Sequence, residues 1–165
     1  MQRSMSKLKT LVTVATLTAL TAVVSADDKQ ASAIQKDRNQ IAGTWQIEVL
    51  EINGNRSAGE DVKHLTVVNG ADGTWSLRSD GNEIAPGTTS IDPSQRPKTI
   101  DIQPTSGQDQ GKTYRGIYEL GKTTRKLCFA PAGKDRPTDF TTNAENQHIF
   151  VKFKRLQATQ EKEVP

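Results

Sequence analysis

The 165-residue chain carries 22 Lys and Arg against 19 Asp and Glu, a formal charge of +3 at neutral pH. The three surplus cations can be assigned to Arg3, Lys7 and Lys9 at its start, so the remainder is formally neutral. Nucleic-acid binding by phosphate neutralisation needs cations gathered on one face, and beyond Lys152, Lys154 and Arg155 none are gathered, which excludes that class. A single cysteine, Cys128, excludes an intramolecular disulfide.

Arg3, Lys7 and Lys9 form the positive head of an export signal, followed by Leu11 to Val24, apolar or threonine without a charge. Val24, Ser25 and Ala26 supply small residues for cleavage after Ala26. The apolar run of about 14 residues falls short of the roughly 20 that a spanning helix needs. The reading is a signal peptide over 1–26 and an exported protein, periplasmic or extracellular, with no membrane span after cleavage; a retained N-terminal anchor is the alternative. No cysteine follows the signal to carry a lipid.

Residues 27–39 are polar and read as a flexible lead-in, with Asp37 placed to cap one or two helical turns through Ile41. The domain proper is expected over 40–156. Trp45, Ile47 and Val49 alternate with Thr44, Gln46 and Glu48, the two-residue period of a half-buried strand, and Asn53-Gly54 ends it. Further strands are expected at Leu65 to Val68, Trp75 to Arg78, Glu83 to Ile91 and Lys98 to Gln103. Three more follow at Tyr114 to Leu120, Arg125 to Ala130 and His148 to Leu156. A longer loop spans Ala132 to Gln147, and 157–165 reads as a disordered polar tail.

About eight short strands between Gly, Pro and Asn turns predict an all-β domain. The pattern fits an antiparallel up-and-down barrel or a sandwich, and mildly favours the barrel. Eight strands closed on themselves leave no free edge and an interior that just admits a small ligand.

An ordered set of short motifs carries a resemblance. Gly43-Thr44-Trp45 opens the first strand, and Asp92-Pro93 precedes Pro97-Lys98-Thr99-Ile100-Asp101. Gly116-Ile117-Tyr118-Glu119-Leu120, Leu127-Cys128-Phe129, Arg136-Pro137 with Phe140, and Phe153-Lys154-Arg155 follow. In this order, over roughly Asp37 to Leu156, the chain resembles an uncharacterised family of secreted lipocalin-like domains abundant in planctomycete bacteria. The resemblance implies a lipocalin-like barrel after a signal peptide and carries over no catalytic residue. It also implies that Trp45 sits inside one end of the barrel under a basic side chain of the last strand. Strand parity names that side chain: Ile149, Val151, Phe153 and Arg155 share a face, and an antiparallel last strand brings Arg155 to Trp45 as the barrel closure.

Inward parity makes Ile47, Val49, Val67, Trp75, Leu77, Ile102, Tyr118, Phe129, Val151 and Phe153 the expected lining of a pocket, joined by Leu65, Ile100 and Leu127. The facing of strand six is ambiguous, because Tyr114, Tyr118 and Leu120 compete with Ile117. These side chains either line a cavity or simply fill the core. Arg136 and Phe140, in the longest loop, are expected at the rim, or else Phe140 packs under the barrel mouth while Arg136 pairs with a nearby acid.

No catalytic or metal constellation emerges. His64 and His148 are the only histidines and lack ligand spacing. Asp92, before a proline, fits turn chemistry, and Asp101 fits a solvated strand position. Cys128, between Leu127 and Phe129, reads as a buried, inert thiol. There is no Gly-x-Ser-x-Gly elbow, and the sequon Asn55-Arg56-Ser57 carries little weight if the source is bacterial. No cofactor is expected. The functional expectation is a noncatalytic domain holding a small apolar or amphipathic ligand, against the alternative of an envelope protein-interaction or inhibitor module working through loops or the N-terminal segment. A cavity of about 300 Å³ or more marks the first, and an exposed apolar loop patch the second.

Overall fold

The computed structural model describes residues 26–157. The signal-peptide reading of residues 1–25 and the tail 158–165 lie outside the described residues. Helix α1 (Ala26–Ile41) precedes nine antiparallel strands: β1 (Gly43–Ile52), β2 (Asn55–Ala58), β3 (Leu65–Asn69), β4 (Thr74–Ser79), β5 (Asn82–Asp92), β6 (Lys98–Pro104), β7 (Tyr114–Leu120), β8 (Thr124–Phe129) and β9 (Ile149–Arg155). Strands follow one another around the sheet, and β1 pairs with β9 to close it.

The ring has eight positions although there are nine strands. One edge of β1 pairs with β3 over Gly43 to Gln46 and with β2 over Val49 to Ile52, so β2 and β3 share one position. The unexpected β2, Asn-Arg-Ser-Ala, has no apolar residue larger than alanine and thus no alternation to betray it. The result is a closed antiparallel barrel consistent with a lipocalin-like architecture.

Two further features depart from the expected pattern. Helix α1 begins at Ala26 and runs 16 residues, so Asp37 lies within its last turns and is buried there instead of capping a short helix. Asp27 and Asp28 in the first turn and Arg38 in the last complement the helix dipole. Its buried stripe is Ile34, Asp37 and Ile41, spaced as one helix face, with a carboxylate in the middle that hides the periodicity.

The second departure is a β-bulge in β1. Ile47 pairs with Phe153, but Val49 pairs with Lys152, so Glu48 is the extra residue and parity inverts beyond it. Leu50, opposite Val151, therefore points inward. Val49, expected in the lining, is buried yet outside the interior cluster.

Candidate functional site

One end of the barrel is closed by α1. The hydroxyl of Tyr118 and the ammonium of Lys98 both donate to Asp37 Oδ2 at 2.7 Å, tying the helix to β6 and β7. Gln40 Nε2 donates to the carbonyl of Gly121 at 3.0 Å. Below the helix, Trp45 is wholly buried and its Nε1 donates to the carbonyl of Ile41 at 2.7 Å. Arg155, the register partner of Trp45, stacks on the indole at 4.2 Å from the ring centroid. Its guanidinium donates to the carbonyl of Ala42 at 2.8 Å and also to that of Gln40, satisfying the carbonyls left open where the helix ends. Gly43, in the left-handed region at φ 109°, turns the chain from helix to strand, and a Cβ there would lie 3.0 Å from Arg155 Nη1.

Above this closure lies a cavity of about 370 Å³. Its lining includes the expected Ile47, Leu65, Val67, Trp75, Leu77, Ile100, Ile102, Leu127, Phe129, Val151 and Phe153, with Leu50, Tyr114 and Ile149 added. It ends among Pro104, Asp109 and Ile149, at strand ends opposite the helix.

Tyr118, expected in the lining, is absent from it. Parity on β7 does point it inward, since it pairs with Leu127, but at the closed end, where it serves the helix. Burial and the hydrogen bond to Asp37 raise its phenol pKa far above the ordinary value. Ile117 faces outward beside Cys128, and both are buried.

Arg136 and Phe140 are not at the rim. The segment after β8 folds back along the outer wall, where Arg136 Nη1 donates to Asp101 at 2.5 Å, to the carbonyl of Gly116 at 2.6 Å and to that of Ile100 at 3.2 Å. Phe140 meets Phe150 edge to face at 6.3 Å. Asp101 is thus paired rather than simply solvated. Asp92 accepts from Ser94 and Gln95 in its turn, and these bonds hold its carboxyl below the ordinary range. His64 is exposed, and the His148 ring lies 3.1 Å from the carbonyl of Thr141. No group of three His, Cys, Asp or Glu among the described residues is arranged to hold a metal ion.

Arg125 was not singled out by sequence reasoning. It precedes Leu127 and Phe129 on β8 with the same parity, so it enters the barrel, where only 2% of it is exposed. Its guanidinium lies 4.8 Å from the Trp45 ring centroid and 4.4 Å from that of Phe153. Burial, with a smaller push from Arg155, brings its pKa down to about 9. Comparison with family models, with curated proteins and with solved structures returns no match.

Proposed function

We propose that this protein is an exported, noncatalytic binding protein that holds a small amphipathic molecule within its barrel. The observation carrying this reading is the cavity of about 370 Å³, of the size and apolar character of small-molecule sites. The large exposed apolar residues Ile52, Ile84 and Leu156 are scattered among three separate segments, which gives little support to a loop-borne protein interface. Export rests on the leading positive and apolar segment, and membership of the planctomycete lipocalin-like family on the motif order.

Native mass spectrometry of the full-length protein purified from its own envelope fraction tests the reading. The expected spectrum contains a small-molecule adduct that is lost on denaturation. A spectrum of bare polypeptide, with no uptake of an added apolar fluorophore, overturns it; a copurifying polypeptide instead favours an interaction module.

A further inference from the structure

We propose that the ligand is a single-tailed amphiphile with an anionic oxygen head, a medium-chain monocarboxylate, whose head is held by Arg125 at the closed end of the cavity. This rests on the reading of the barrel as a binding site and names the ligand class it takes.

The argument begins with an imbalance inside the barrel. Each cation that helps hold the shell has an oxygen partner: Lys98 has Asp37, Arg136 has Asp101, and Arg155 has two backbone carbonyls. Arg125 is the exception among them. It lines the cavity and is 2% exposed, and its side chain makes no hydrogen bond or ion pair with any described residue; its Nε is buried without an acceptor. Aromatic faces on Trp45 and Phe153 hold the guanidinium plane but satisfy none of its N–H groups. Burying a cation without a counter-charge is costly, and the charge that acts on it, Arg155, is of the same sign.

A second donor shares the cavity and the deficit. Asn69, 8% exposed, lines the same space with its Nδ2 buried and without an acceptor. Its register partners Gly43 and Trp75 place it towards the closed end, as Trp45 and Phe153 place Arg125. The one acid in the lining, Asp109, is exposed in the β6–β7 loop and takes the ammonium of Lys112 at 2.7 Å. The inner end thus offers donors, and the walls above it are aliphatic and aromatic. A head that only accepts hydrogen bonds, attached to an apolar tail, complements both. A methylene needs roughly the volume of a water molecule, about 30 Å³, so the space suits a chain of about ten carbons.

The test is calorimetric titration of the full chain with decanoate, with 1-decanol as its uncharged equivalent, and with acetate as the head alone, followed in parallel by tryptophan fluorescence because Trp75 lines the cavity. Decanoate is expected to bind at least about tenfold more tightly than decanol, the scale of one charge-assisted hydrogen bond, and acetate much more weakly than either. Arg125→Met should weaken decanoate by about 10- to 100-fold and decanol by much less, so that the two converge, and Asn69→Ala should weaken decanoate less. Decanol binding as tightly as decanoate overturns the anionic head and leaves the cavity reading standing. Failure of both ligands overturns the cavity reading as well. Acetate binding as tightly as decanoate means a site for a small anion only, and also overturns the proposal. The decanoate-to-decanol ratio in the unaltered protein decides the matter even if Arg125→Met does not fold.

Discussion

Arg155 and Trp45 are register partners on the two strands that close the barrel, and the guanidinium lies 4.2 Å from the centre of the indole. The pair joins three elements, because the same guanidinium bonds the last carbonyls of α1 while Trp45 Nε1 bonds another. Arg155→Ala removes the stacking and opens those carbonyls, an expected loss of about 2 kcal/mol, or a Tm lower by about 5 to 10 °C. Arg155→Lys should fall between, since an ammonium lacks the planar fork. Because Arg155 does not line the cavity, affinity for the uncharged decanol should be preserved. An unchanged Tm in Arg155→Ala would contradict its role in closure.

That pair was legible from two signals together: the lipocalin-like resemblance implies a basic side chain of the last strand over Trp45, and parity along β9 with an antiparallel return to β1 names Arg155. The closed ring was less sharply legible: short alternating strands between turn residues fit a sandwich as well as a barrel and favour the barrel only mildly, because closure alone removes every edge. Other features left weaker traces. The bulge at Glu48 is a backbone event that no residue type announces, yet it exchanges Val49 for Leu50 in the cavity. Helix α1 buries a stripe so thin, with Asp37 at its centre, that its polar composition masks the period. Arg136 and Phe140 sit in a long loop, and loop length does not distinguish a rim from a segment laid along the outer wall. Arg125 had the inward parity of Leu127 and Phe129, but a charge on a strand is ordinarily read as solvent-facing.

Asp37 is the fastening of the helix to the barrel wall. Asp37→Leu leaves the Tyr118 hydroxyl and the Lys98 ammonium without their acceptor, and should cost about 2 kcal/mol in chemical denaturation. Amide exchange should accelerate across 26–41 more than in β7 or β8, because the lost bonds tie the helix to the wall while β7 and β8 keep their ladder pairing. Removing the orphaned cation as well, in Asp37→Leu with Lys98→Met, should recover part of the loss. Uniform acceleration across helix and barrel would mean that α1 does not open separately.

Cys128 supplies a pH-dependent test of the outer layer. It is fully buried between β7 and β9, next to Ile117 and Phe150 in the register, and the Phe140 segment packs on that face. Burial, with smaller contributions from the negative charges of Asp139 and Glu51, pushes its thiol up to about 11 from an ordinary 9.0. The folded state therefore holds this proton where the unfolded chain releases it. A raised acid contributes stability that is present below pH 9 and lost as pH rises through 11, so unfolding in that window should release up to about one additional proton per molecule. Comparing the pH dependence of denaturation in the unaltered protein and in Cys128→Ala isolates this share: the unaltered protein should lose stability more steeply between pH 9 and 11. At pH 8 a thiol reagent should label the folded protein only as fast as it opens, and addition of denaturant should expose one thiol at once. Rapid labelling under native conditions would mean that the segment carrying Arg136 and Phe140 does not stay on the wall, and the variant Phe140→Ala should then label no faster than the unaltered protein.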